Sequence, residues 1–133
     1  MRILARVVTV VGLLAADNAF ACSCMQPTAD DLLSSSVSIF TGVAVKNRTT
    51  KQNETITTFR VSTGYKGVTP GQVIRIRHFS GHSAACGVRF ELGQQHSLTT
   101  YRKDGSTAEF TSLCSVAVLR SPGGEELLRR LKR

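Results

Sequence analysis

The chain contains no tryptophan, and its aromatic residues are six phenylalanines and two tyrosines. It has no stripe in which arginine or lysine is interleaved with aromatic rings. Base-stacking platforms are therefore missing, and nucleic acid is not an expected partner. Carboxylates are scarce as well: nine Asp and Glu stand against 17 Lys and Arg. Beyond residue 21 they are Asp30, Asp31, Glu54, Glu91, Asp104, Glu109, Glu125 and Glu126, scattered mostly through expected loops and ends. No two are placed for general acid–base work, and no Ser/His/Asp or Cys/His constellation accompanies them. The chain is read as not an enzyme, with no cofactor. His78, His82 and Cys86 recur at four-residue intervals, which on a helix would form a metal-binding face. Ser80 and Gly81 make the segment strand-to-loop instead, so the spacing does not bring the three together. His96 has no partner in the sequence.

Long apolar runs are absent too. The longest, Val7 to Ala16, covers about 10 residues and is too short to span a bilayer. Arg2 and Arg6 precede it, Asp17-Asn18 break it, and Ala19-Phe20-Ala21 supplies the small-residue pattern that signal peptidase accepts. This order predicts a signal peptide over residues 1–21 and a mature chain that begins at Cys22 and is secreted or periplasmic. A buried N-terminal helix would not need the three features in sequence. Lipidation of Cys22 is the other rival. It usually goes with Leu three places upstream, where this chain has Ala19, with bulky Phe20 next. It would also leave an odd thiol among Cys24, Cys86 and Cys114.

Loss of Arg2, Arg6 and Asp17 takes the formal charge from +8 to +7. The 112 residues that remain suffice for one domain with one modest core. A surface this basic favours anionic partners such as acidic proteins, glycans or envelope polymers.

All four cysteines, Cys22, Cys24, Cys86 and Cys114, survive processing. Export and an even count read as a disulfide framework. A bridge from Cys22 to Cys24 would close across one residue, which disulfide geometry resists. Two pairings stay open, 22–86 with 24–114 or 22–114 with 24–86. Either closes long loops, worth about 4 kcal/mol each in the chain-entropy model. A four-cysteine zinc site would call for paired C-x-x-C knuckles, which the chain lacks.

Between the cysteines the pattern is mostly strand. Thr28-Ala29-Asp30-Asp31 is a helix start, and a short helix follows to about Ser34, with Leu32 and Leu33 facing the core. Val37 to Val45 alternates, which places Val37, Ile39, Thr41, Val43 and Val45 on one face. Lys46 to Glu54 is polar and reads as a loop. Thr55 to Tyr65 is a second strand with Thr57, Phe59, Val61, Thr63 and Tyr65 in phase. Val73 to His78 is a third, with Ile74 and Ile76 inward and Arg75 and Arg77 outward. His96 to Tyr101 is a fourth, Asp104-Gly105 signals a hairpin, and Ala108 to Leu113 is a fifth. Ser121-Pro122-Gly123-Gly124 breaks the chain before a short basic helix, Glu125 to Lys132. Its Arg129-Arg130-Leu131-Lys132-Arg133 end reads as a solvated helix terminus. The expected class is all-β, a five-stranded barrel or sandwich with helices near the ends. The domain covers residues 22–120, with a basic tail or helix at 121–133.

The cysteines and their neighbours resemble the netrin-like domain family, most closely the N-terminal domain of tissue inhibitors of metalloproteinases. The residues that carry the resemblance are Cys22-Ser23-Cys24, Tyr65-Lys66-Gly67, Ser83-Ala84-Ala85-Cys86-Gly87-Val88 with Gly93 after it, and Leu113-Cys114. The resemblance implies a Greek-key OB-fold barrel and the pairing Cys22–Cys86 and Cys24–Cys114. The chain is expected to be a monomer with no membrane span, and the resemblance implies a zinc metalloprotease as its partner. The α-amine and carbonyl of Cys22 would chelate the protease's zinc, with Ser23, Cys24, Met25, Ala84 and Ala85 in contact around it. The family's third disulfide in this domain has no cysteines here, which implies a less anchored tail after Ser121. Many netrin-like domains are binding modules that inhibit nothing, and the alternative is such a module for an acidic protein or anionic envelope polymer.

Overall fold

Thr28 opens the first regular element by closing a capping box with Asp31. The Thr28 hydroxyl accepts from the Asp31 backbone N–H, and the Asp31 carboxylate accepts from the Thr28 N–H at 3.2 Å. Helix α1 then runs over Ala29–Ser35 and buries Ala29 and Leu32, while Leu33 stays exposed. The computed structural model describes residues 22–50, 53–81 and 86–133. The expected signal peptide, His82 and the Ser83-Ala84-Ala85 stretch lie outside the described residues.

Five strands follow: β1 (Ile39–Thr49), β2 (Glu54–Lys66), β3 (Val73–Phe79), β4 (Gln95–Thr99) and β5 (Glu109–Phe110). They form one curled, barrel-like sheet in the order β4-β1-β2-β3-β5. All neighbours are antiparallel except β3 and β5, which pair in parallel through Ile76–Glu109 and Arg77–Phe110. The two edges meet where Tyr101, just past β4, bridges Phe110. Each backbone N–H donates to the other's carbonyl, at 2.9 and 2.8 Å. The Asp104-Gly105 turn, with Gly105 at φ +75°, lies between these two residues.

Inside the curl lie Phe40, Ala44, Phe59, Val61, Ile74, Ile76, Val88, Phe90 and Leu98. Phe59 meets Phe40 and Phe90 edge-on, at centroid distances of 5.6 and 5.0 Å. Such contacts add about 0.5–1.5 kcal/mol to the burial itself. A second cluster packs outside the sheet: Ala29 and Leu32 of α1, Ile39, Val118, Leu119 and Leu127.

These two clusters divide β1 between the two sides of the sheet. Phe40, Gly42 and Ala44 face the interior, whereas Thr41 and Val43 are half-buried and Val45 is exposed. Ile39 is fully buried, but against the helices on the other side of the sheet. The curled interior has room for one large ring from β1 beside two small residues. Alternation of β-branched residues does not carry that size constraint. Register shifts at Thr41/Gly42 and Ala44/Lys46 bend the strand further.

The loop expected over Lys46 to Glu54 is also corrected. β1 continues to Thr49, with Lys46 opposite Thr58 and Thr49 opposite Thr55. Charged residues suit a strand whose outer face meets solvent, and the inward Asn47 is satisfied by side-chain bonds. The fifth strand is shorter than expected, because Ser112 caps a helix, α2 (Leu113–Ala117), by accepting from the Ser115 N–H at 3.2 Å. Cys114 therefore sits on a helix.

A 3₁₀ turn over Val118–Arg120 leads to α3 (Pro122–Leu131). Ser121 and Pro122 do not break the chain before this helix; they start it, as N-cap and first helical residue. The two glycines fill its first turn because there is no space for side chains. A Cβ on Gly123 would lie 2.2 Å from the Pro27 carbonyl oxygen, and one on Gly124 would lie 2.2 Å from that of Val118. The helix is docked, where the resemblance implied a less anchored tail after Ser121. Leu127 is 1% exposed, and Arg130 bonds Asp30 of α1 at 2.9 Å. Gly124→Ala should lower stability by about 1–3 kcal/mol in urea unfolding, from overpacking. At an exposed helical site the same change would raise stability by about 1 kcal/mol, so an unchanged or higher midpoint would refute this docking.

Candidate functional site

The N-terminal segment is held to the body of the protein at two points. Cys22 is bridged to Cys86 and Cys24 to Cys114, with Cα separations of 5.7 and 5.2 Å. This is the pairing that the resemblance implied. The bridges join residues 64 and 90 apart in sequence, and loops of that length give disulfides about 4 kcal/mol each in the chain-entropy model. The anchors are themselves tied together, since the Leu113 N–H donates to the Cys86 carbonyl at 3.2 Å. Cys86 has φ +56°, a left-handed conformation that costs a non-glycine residue about 1–2 kcal/mol. Its bridge to Cys22 is one of the contacts that hold it there.

Ser23 lies between the two clamped cysteines and is exposed; Met25 just beyond them is 88% exposed. A shallow groove of about 460 Å³ runs beside them, lined by Ser23, Met25 and Pro27 and, opposite, by Thr100, Tyr101 and Ser115. Of the expected contact residues, Cys22, Ser23, Cys24 and Met25 are thus adjacent on one edge. Ala84 and Ala85 lie outside the described residues, although Cys86, which follows them, is bonded to Cys22.

The Tyr65-Lys66-Gly67 segment has a structural task. The Lys66 ammonium donates to the backbone carbonyls of Leu33 and Ser36, where α1 ends. A cation there also suits the negative end of the helix. Gly67 has φ +72°, and a Cβ on it would lie 2.5 Å from the Val37 carbonyl oxygen. These two residues fix the junction of α1 with β1.

His78 and His96 are structural as well. His96 lies edge-on to Phe90 at 5.1 Å, with Nε2 3.2 Å from the Glu91 carbonyl oxygen. His78 is 3% exposed and stands in a directed chain. The Thr57 hydroxyl donates to Asn47 Oδ1 at 2.6 Å, so it accepts at 2.7 Å from His78 Nε2–H, and Asn47 Nδ2 donates to the Phe90 carbonyl at 2.9 Å. That chain assigns the tautomer and leaves Nδ1, which has no hydrogen-bond partner, unprotonated. Desolvation holds the imidazole pKa below its ordinary value, and the nearby backbone of Val88 and Phe79 and the Glu54 carboxylate oppose it only in part. Among the described residues, no group of three or more His, Cys, Asp or Glu could hold a metal ion. The basic helix end is solvated and ion-paired, Arg129 with Glu126 and Arg130 with Glu126 and Asp30.

Comparison of the sequence with protein-family models and with curated proteins finds no match. Among the described residues no helix is long and apolar enough to cross a membrane.

His78 makes stability pH-dependent. The unfolded chain binds a proton near pH 6.5, while the native imidazole resists it. Stability is therefore full above about pH 6.5, falls as pH drops below it, and levels off beneath the native pKa. In His78→Gln, which keeps a donor to Thr57, the loss in urea midpoint between pH 7.5 and pH 5 should be smaller than in the parent. An equal loss in both proteins would assign the dependence elsewhere.

Proposed function

We propose that this chain is a netrin-like domain of the tissue-inhibitor type, exported and processed at Ala21. Its mature N-terminus inhibits zinc metalloproteases. The observation that carries the reading is the double clamp: both cysteines of Cys22-Ser23-Cys24 are bonded to the body, and Ser23 and Met25 stay exposed beside them. The strand arrangement supports an OB-fold barrel. A β1–β2–β3 meander is followed by β4 against β1 and by β5 parallel to β3, and the outer edges meet at Tyr101 and Phe110. Two disulfides fit an oxidising compartment outside the cytoplasm.

The chemistry follows from the terminus that cleavage creates. The α-amino nitrogen and carbonyl oxygen of Cys22 make a five-membered chelate on the open position of a catalytic zinc. They displace the water that the metal would activate. The amine binds metal only when neutral. Its ordinary pKa near 7.7–8.0 makes deprotonation at pH 7 cost about 1 kcal/mol. A segment already fixed by two bridges loses little further entropy on docking. Ser23 then enters the primary specificity pocket. Its small side chain fills a deep pocket incompletely, which gives breadth over selectivity, and Met25 extends the contact ridge.

The test is a single added residue. The protein beginning at Cys22 should inhibit zinc metalloproteases. A form carrying one extra alanine before Cys22, with both disulfides verified by mass, should lose inhibition by at least a hundredfold. Equal inhibition by the two forms would exclude the chelate.

A further inference from the structure

The outer face of β1, β2 and β3 carries five cations in register. Lys46 pairs with Thr58, which pairs with Arg75; in the next row Arg48 pairs with Ile56, which pairs with Arg77. Arg60 lies one row to the other side, opposite Val73. The carboxylate of Glu54 on this face is engaged by Arg77 at 3.1 Å. Among the described residues Lys46, Arg48, Arg60 and Arg75 have no acidic partner, and all four are exposed. A groove of about 180 Å³ opens among them, walled by Lys46, Arg48 and Arg75 and floored by Ile56 and Thr58. Folding does not call for this arrangement. Opposite charges across strands would stabilise the same face, and like charges without counterparts oppose it.

We propose that this face docks a linear phosphodiester polymer whose phosphates are joined by short polyol bridges rather than nucleosides. Successive rows on one face are about 7 Å apart, twice the rise per residue. A three-carbon bridge between phosphates spans roughly the same length, so successive phosphates meet successive cation rows. Lys46 and Arg75 stand two strand spacings apart, about 10 Å, and hold such a chain from both sides. Arg48 and Arg75 supply guanidinium forks suited to phosphate oxygens. Nucleic acid fits poorly, because the cation rows offer Ile56, Thr58 and Val73 and no ring for a base to stack on. Phe79, 40% exposed, lies one row further along, opposite Glu54 and outside the rows that carry the unpaired cations, and it packs on Gly81, where a Cβ would lie 2.2 Å from its ring. Sugar rings between charges would likewise find no aromatic face in these rows. The surface requires nothing of Cys22, so it stands or falls separately from inhibition.

The oxidised protein is titrated with lipid-free poly(glycerol phosphate), and in parallel with heparin, oligothymidylate and anionic phospholipid vesicles. Poly(glycerol phosphate) should bind most tightly, with log K falling against log salt at a slope of about −3. Arg48→Gln with Arg75→Gln should weaken binding at least tenfold and reduce the slope. Lys46→Gln with Arg60→Gln should do the same, and thermal melts of both variants check the fold. Arg129→Gln with Lys132→Gln, on the α3 end, should leave binding unchanged. The proposal is overturned if the polymer fails to bind at low salt, or if any other probe binds more tightly. It is also overturned if the α3 variant loses as much as the face variants.

Discussion

Two backbone hydrogen bonds between Tyr101 and Phe110 join the edges of the sheet, and the rest of the molecule is arranged around that junction. Because Phe110 is held there, Thr111 donates its N–H to the Arg77 carbonyl and its hydroxyl to the Thr99 carbonyl, both at 2.9 Å. Ser112 then starts α2 beside β4, where the Thr99 hydroxyl meets the Ser115 carbonyl. The Leu113 N–H reaches the Cys86 carbonyl. One end of the sheet thus gathers Cys86 and Cys114, residues distant in the chain. Only with both gathered can a three-residue segment be bridged at its first and third positions.

The sheet is buried differently on its two sides. Its inner face holds phenylalanines and aliphatic residues, together with a polar chain from His78 through Thr57 to Asn47. That chain is satisfied except at His78 Nδ1, so its lowest-energy state is the neutral imidazole. The outer face is divided. Helices α1 and α3 cover the start of β1, and the far end of β1 with β2 and β3 meets solvent and carries the cations. The clamped N-terminal segment and the cationic rows depend on different interactions, covalent bridges in one case and strand register in the other.

Much of this was legible in one dimension. Ile74 and Ile76 inward with Arg75 and Arg77 outward follow from alternation, and the Thr28–Asp31 capping box is local. The Asp104-Gly105 turn likewise sits between the paired Tyr101 and Phe110. Where the reading failed, a long-range partner had decided the outcome. Lys46 to Thr49 is polar enough for a loop, but β2 supplied a ladder for it. Gly123 and Gly124 look like breakers, yet they sit in a helix because Pro27 and Val118 press against its first turn. The cationic face was visible only as net charge until register aligned three strands.

By itself, the sequence determined the number and order of the strands, the capped first helix, and the even set of cysteines. It also determined the surplus of positive charge. Each depends on residue type and local spacing, which act over a few residues. The tertiary structure alone decided which face of β1 turns inward, since that depends on the space left by Phe59 and Phe90. It decided where each cation stands relative to the next, since register is set by pairing across strands. It also brought Cys86 and Cys114 to one end of the sheet, where Cys22 meets the first and Cys24 the second; spacing alone left two pairings open, because the approach of residues that stand 64 and 90 apart is set by the fold and not by local sequence.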